Sequence, residues 1–334
     1  MRSARRGVTR PWRKLGRVLE ASGEPLSRTH VMLPTPHVTG DRVRVFYASC
    51  DADLRGRIFF ADFEPAPPFR LMGRSPSPVL DVGPAGAFDC DGVNPSQALD
   101  ADGRLALLYI GWRRGPPESP YTLFGAVAFS DDGGASFARA SAPLLAPRPG
   151  ERLFRTAPFV ERGGEGWRLL YIGGDAFEEA GDGRRLPSYS LMTLESGRLW
   201  DWQGAGKVLM APDAAAGEIG FGRPVSYATG RARRLMLSVR TREGYRLMET
   251  ARDFQGRPLL TPVIPAPFEA WESQMTCFGA PCVVEGRELL FYNGDGYGRT
   301  GLGLAWRPAG QLGLPPRALP RAGRISEPGQ SATR

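Results

Sequence analysis

The chain has 334 residues, 42% apolar and 23% charged, which fits one large or two ordinary globular domains and excludes disordered and collagen-like classes. No apolar run approaches the roughly 18 residues of a membrane span, and the basic start "MRSARRGVTRPWRKLG" lacks the apolar segment of a secretory signal. A cytoplasmic protein without membrane insertion is expected.

The net charge of +8 is confined to the ends. Residues 1–14 carry six basic side chains and no acid, and residues 307–334 carry five arginines against Glu327. The body between them is slightly acidic, which argues against a nucleic-acid partner. We therefore divide the chain into a basic tail (1–14), one folded domain (15–306) and a Pro/Arg-rich tail (307–334) that is disordered or loosely packed. Cys50, Cys90, Cys277 and Cys282 lack zinc-like spacing and read as reduced thiols, and the only histidines are His30 and His37. No metal or organic cofactor is called for.

Taken in chain order, one unit recurs five times. An apolar run opens at Pro34, a turn "TGDR" follows, then the strand "VRVFYAS" at 43–49, then "RGRIFFADF". The second copy has Pro95, "DADGR", "LALLYIG" at 105–111 and "LFGAVAFS". The third has Pro158, "ERGGEG", "WRLLYIG" at 167–173 and "YSLMTLE". The fourth, degenerate copy has Pro224, "ATGRAR", "RLMLSVR" at 234–240 and "GYRLMETA". The fifth has Pro281, "VEGRE", "ELLFYNG" at 288–294 and "GLGLAWR". The position held by Tyr47, Tyr109, Tyr171, Ser238 and Tyr292 recurs at intervals of 62, 62, 67 and 54 residues. Short apolar runs joined by glycine-rich turns, in five units with no convincing helix, predict an all-β, five-bladed β-propeller in one domain.

Ligands of such a fold bind where the innermost strands begin. The residues just upstream of each repeated proline are polar there: His30; Asp89 and Asp91 in "FDCDGVNP"; Arg155 and Thr156; Glu218 and Arg223; Glu272 and Gln274. Carboxylates facing one another across a funnel are what glycosidic bond cleavage requires, one as acid and one as base or nucleophile. Arginines would keep acids ionised or bind an anion. Trp112, Trp271 and Tyr297 are candidates to stack on sugar faces. Arg240 stands where three other copies carry glycine, and Asn293 and Tyr297 are expected to face the channel. Each also has a plainer reading: a turn cap for Asp89 and Asp91, an internal ion pair for Glu218 with Arg223, a core histidine for His30, a salt bridge for Arg240.

"SDDGGASF" at 130–137 resembles the Asp-box of sialidase-type propellers, so Asp132 is expected to be structural. Together with "FDCDGVNPS", "YIGW", "GRPVS", "SVRTREGYRL" and "YNGDGYGRTGLGLA", over residues 11–306, the sequence resembles the five-bladed propeller superfamily of glycoside hydrolases, families 32, 43 and 130 among them. It is similar in particular to uncharacterised bacterial propellers related to the N-terminal module of plant glucosamine inositolphosphorylceramide transferases.

The resemblance implies a blade-one acid as base or nucleophile, a blade-two aspartate that tunes (Asp89 or Asp91), and a later glutamate as general acid (Glu218). The blade-one slot holds His30 instead, and the nearest acid, Asp51, lies at the strand's far end. The expected function is a glycosidase-like protein acting on a saccharide or sugar conjugate, in polysaccharide or glycoconjugate biosynthesis. Asp89, Asp91 and Glu218 are its catalytic candidates. His30, Asp51, Trp112, Arg155, Arg223, Arg240, Glu272, Asn293 and Tyr297 are its binding candidates. The alternative is a non-hydrolytic propeller that holds a sugar-containing intermediate or uses His30 and the funnel acids for a different acid–base reaction. The oligomeric state is left open.

Overall fold

Runs of β-branched and aromatic residues between glycine turns become antiparallel hairpins, because each strand finds its sequence neighbour first. The computed structural model describes residues 10–310. After β1 (Arg13–Leu19) the chain forms β2 (Thr29–Thr39), β3 (Arg42–Cys50), β4 (Gly56–Phe63) and β5 (Leu71–Arg74), paired in that order. The next run is β6 (Gly92–Ala101), β7 (Arg104–Arg114), β8 (Tyr121–Ser130) and β9 (Ala138–Arg139). Then come β10 (Phe154–Gly163), β11 (Gly166–Glu179), β12 (Arg185–Ser196) and β13 (Lys207–Met210).

The fourth run splits its first strand into β14 (Gly220–Phe221) and β15 (Val225–Thr229), both paired with β16 (Ala232–Arg240), followed by β17 (Tyr245–Ala251) and β18 (Thr261–Pro262). The last run is β19 (Cys277–Val284), β20 (Arg287–Asn293) and β21 (Leu302–Pro308), with β1 added on its outer side. Helix among the described residues is limited to single turns, Ala214–Ala216, Ala270–Glu272 and Asp295–Gly298.

The strands begin several residues before the repeated prolines, not at them. Each proline sits at or beside an irregularity of its strand: the register slips between Met32 and Thr35, Pro95 and Gln97, Thr156 and Phe159, and Cys277 and Ala280. Proline cannot donate to a ladder, so it is accommodated where the ladder is already broken. In the fourth run the break is complete and Pro224 lies in the gap between β14 and β15. The 15–306 boundary is also too narrow. Trp12 is buried, Lys14 lies in β1, and the Arg307 guanidinium stacks 3.9 Å above the Trp12 ring while pairing with Glu288 at 2.6 Å. The remaining tails, 1–9 and 311–334, lie outside the described residues.

Consecutive runs bury their faces against each other. Phe46 and Ile58 of the first pack with Val93, Leu107 and Tyr109 of the second; Leu108 and Val127 of the second pack with Leu169 and Tyr171 of the third. Val43, Val45 and Phe63 of the first pack with Leu289, Phe291 and Leu304 of the last. Short parallel pairings bring the third strand of one run beside the first strand of the next, at Gly56 with Gly92, Leu123 with Phe154, and Tyr189 with Gly220. The starts of the first strands therefore converge.

Asn293 joins the first and last runs. It is fully buried; its side-chain oxygen accepts from Leu33 N at 2.8 Å, and its amide donates to Val31 O at 2.5 Å and Gly301 O at 3.3 Å. Asn293→Ala leaves the Leu33 amide and the Val31 carbonyl without these partners inside the protein. We expect it to lower the unfolding free energy by about 2–4 kcal/mol, read from urea denaturation.

Candidate functional site

Where the first strands converge lies a cavity of about 690 Å³. Its wall carries the aromatics Trp112, Tyr121, Tyr189, Tyr245, Phe278 and Tyr297, aliphatic side chains such as Leu33, Ile110 and Ile172, and the polar groups His30, Asn94, Arg223 and Arg240. Arg184 and Arg185, exposed on the third run, also line it. Among the described residues no aspartate or glutamate does.

The backbone is locally strained here. Nine non-glycine residues among those described have positive φ, and six of them, His30, Leu33, Leu54, Ala157, Phe278 and Tyr297, line this cavity. Such conformations persist only where the surroundings over-determine them, and they gather at functional sites. Trp112 reaches the wall by lying over Gly92, where any Cβ would fall 1.6 Å from the indole nitrogen. Glycine is obligatory at that position.

Six sequence candidates are thus brought together: His30, Trp112, Thr156, Arg223, Arg240 and Tyr297. The Arg223 guanidinium is buried and spans β2 and β19. It donates to Thr35 Oγ1 at 2.9 Å, Pro34 O at 2.8 Å and Phe278 O at 2.7 Å, and burial pulls its pKa down to about 9. Arg240 donates to the phenol oxygens of Tyr245 at 3.1 Å and Tyr297 at 3.5 Å, and the hydroxyls of Tyr189 and Tyr245 are hydrogen-bonded to each other. The imidazole of His30 is half-buried with Nδ1 2.9 Å from Thr29 Oγ1. Burial, and then the charge of Arg299, hold it below the ordinary histidine pKa.

The carboxylates are elsewhere, and the expectation that Asp89, Asp91 and Glu218 face one another across the funnel is not met. Asp89 is fully buried, accepts from the Tyr109 hydroxyl at 2.9 Å and lies 3.6 Å from Arg139. Glu272, also expected to bind ligand, accepts from Tyr292 at 2.7 Å and pairs with Lys14 at 2.5 Å. Glu151 does the same with Tyr171 and Arg155, each at 2.9 Å.

In all three cases the acid stands twenty residues before the repeated tyrosine. Each carboxylate fastens the loop that leads into a first strand to the second strand. Glu218 occupies the same place relative to Ser238, whose hydroxyl is too short to take the tyrosine's role. It accepts instead from Asp213 N at 3.0 Å and pairs with Arg257, so the ion pair with Arg223 offered as its plainer reading is absent as well.

Asp91 accepts from Arg114 N at 3.0 Å, and Asp51 takes two turn amides and Arg57 at 2.7 Å, which together hold its pKa low against burial. Arg155, an expected ligand contact, is consumed by Glu151 and the carbonyls of Ala146 and Gly204. Asn293 is the clasp described above, and Trp271 packs on Tyr292 at 5.5 Å; neither lines the cavity. Asp132 behaves as an Asp-box residue, accepting from the amides of Ala135 and Ser136 and from two serine hydroxyls. The four cysteines are unpaired, and burial pushes the thiol of Cys50 up to about 12.

Sequence reading missed Tyr121, Tyr189, Tyr245, Arg184 and Arg185, because it looked for ligand contacts before first strands and at the ends of second strands, not around third strands. The signal was present in "GYR" and "PSYS", which open or run into third strands with an aromatic at the inner end. Asn94, inside the quoted "FDCDGVNP", was likewise passed over.

No family model matches the chain. Two uncharacterized proteins of Mycobacterium tuberculosis, MT1551 (strain CDC 1551 / Oshkosh) and Rv1502 (strain ATCC 25618 / H37Rv), are each 28% identical to it over 308 residues, covering 88% of this chain and 98% of theirs. Among solved structures, a glycosyl hydrolase from Bacteroides ovatus superposes with a TM-score of 0.65 at 14% identity, over 89% of this chain and 94% of that one. A thermostable family-43 glycoside hydrolase gives 0.58 at 13% identity, over 91% and 100%. A structure reported for the GH130 family of mannoside phosphorylases, as containing glycoside hydrolases that target β-1,2 mannosidic linkages in Candida mannan, gives 0.61 at 13%, over 91% and 96%. The nearly all-β chain therefore matches glycoside hydrolases of propeller fold.

Two measurements check this description. Tyr109→Phe leaves a buried carboxylate with one hydrogen bond fewer, and should cost about 2 kcal/mol of stability in urea unfolding. Because His30 has a lowered pKa in the native state, the unfolded chain binds more protons just below its ordinary value of about 6.5. Stability should therefore fall as pH drops from 7.5 to 5.5, and the fall should be shallower in His30→Gln, read as the melting midpoint against pH.

Proposed function

We infer that the chain is a five-bladed β-propeller, the four-stranded runs being its blades and the β1–β21 pairing its closure, and that its cavity binds a saccharide or sugar conjugate without cleaving it. The buried Asn293 contacts between the last and first runs support the closure. What carries the binding reading is the composition of the wall: aromatic faces and hydrogen-bonding side chains, with no carboxylate among the described residues that line it.

Sugars present apolar C–H faces and hydroxyl edges, and Trp112, Tyr121 and Tyr297 with Asn94 and His30 offer both complements. Glycoside cleavage in this architecture needs two carboxyl groups across the bond, about 5–5.5 Å apart for retention or 6.5–9.5 Å for inversion. Asp89 and Glu218 are instead engaged with Tyr109 and Arg257, and Asp91 with a backbone amide. A protein that holds a sugar conjugate intact suits glycoconjugate assembly, presenting an intermediate to a partner enzyme.

The test is a panel of oligosaccharides and nitrophenyl glycosides offered to the full chain. Binding by calorimetry, with no nitrophenol released, is the expected result. Trp112→Ala should weaken that binding at least tenfold, while Glu218→Gln leaves it within twofold. Release of nitrophenol by the wild type, abolished by Asp91→Asn or Glu218→Gln, would restore the hydrolase.

A further inference from the structure

Six arginines are buried among the described residues: Arg57, Arg155, Arg223, Arg240, Arg252 and Arg307. Four have carboxylate partners, Asp51, Glu151, Glu161 and Glu288, at 2.6–2.9 Å. Arg223 and Arg240 have none within salt-bridge distance among the described residues, and these two line the cavity. A buried charge without a counter-ion is costly, and the protein bears that cost twice in one place.

The two differ in what they have left to offer. The terminal nitrogens of Arg223 are taken up by backbone carbonyls and Thr35, so it contributes charge more than free donors. Arg240 has five N–H donors and only two acceptors, both neutral phenols, the weaker at 3.5 Å. Arg184 and Arg185 also face this cavity, but each has an acid beside it, Asp182 and Glu179.

We propose that the cavity is completed by a phosphoryl group of its ligand, held by Arg240 between Tyr245 and Tyr297 and balanced at longer range by Arg223. Two uncompensated guanidinium charges match a phosphate monoester, which carries about −1.5 to −2 at neutral pH, better than a single carboxylate. This rests on the reading of the cavity as a saccharide site and makes its substrate class a phosphorylated sugar.

The experiment uses the full chain with inorganic phosphate, α-D-glucose 1-phosphate and D-glucose, each at constant ionic strength set with chloride, read by calorimetry and by melting midpoint. Inorganic phosphate and the sugar phosphate should bind and raise the midpoint, and the sugar phosphate should bind at least tenfold more tightly than glucose. Arg240→Gln should weaken phosphate at least tenfold. The exposed pair Arg184→Ala/Arg185→Ala, which keeps the interior intact, should weaken it less than threefold.

Phosphate acting no differently from chloride on the wild type would overturn the proposal, as would loss of phosphate binding in the exposed double variant. Neutral oligosaccharides that bind while phosphate has no effect would sink the proposal and leave the saccharide reading standing. Phosphate bound through Arg240, with no sugar phosphate improving on phosphate alone, would support the phosphoryl site and overturn the saccharide reading.

Discussion

The architecture depends on one repeated hydrogen bond, from a buried tyrosine hydroxyl to a carboxylate twenty residues earlier. Tyr109 with Asp89, Tyr171 with Glu151 and Tyr292 with Glu272 each fix the loop that leads into a first strand, and a cation beside each acid keeps the buried charge paired. Removed from water, a phenol–carboxylate bond is strong and directional, so the loop has one place to sit. Burial and the neighbouring carboxylate push all three phenol pKa values up, so the tyrosines remain donors at any physiological pH. The cavity follows from this, since the loops so fixed deliver the first strands to a common centre.

The same device explains what sequence reading achieved and where it went astray. The repeat of Tyr47, Tyr109, Tyr171, Ser238 and Tyr292 was legible because a strand buried on both faces must be apolar along its length, and that pattern survives without any fold knowledge. The upstream acids were legible too, but their meaning was inverted. Asp89, Glu218 and Glu272 drew notice as polar residues in register at strand entrances, which is also what a structural acid in a repeat looks like. The twenty-residue spacing to a tyrosine, identical in three copies, was the discriminating pattern, and it lay in the sequence unread.

The cavity wall was harder to anticipate because it is built from irregularities. Leu33, Ala157 and Phe278 enter it through strand bulges with positive φ, and Tyr189 and Tyr245 enter from third strands. A two-residue alternation does not point to such positions, although Leu33 and Ala157 stand directly before the repeated Pro34 and Pro158. Arg240 was found because it broke the repeat, a large cation where three other copies have glycine and the first has Ser49. One departure from the repeat, Arg240, and two residues from the in-register slots, His30 and Arg223, all lie on the cavity wall.

The pairing of β1 with β21 sets the order in which the molecule can be finished. Arg13 lies opposite Trp306, so β1 has its partner only when the chain has emerged as far as β21. At roughly 5–20 residues per second, β1 waits about 15–60 seconds with an open ladder edge while four runs fold ahead of it. Its composition suits that delay: Arg13, Lys14 and Arg17 along seven residues, with only Leu19 fully buried, discourage premature pairing with another nascent chain.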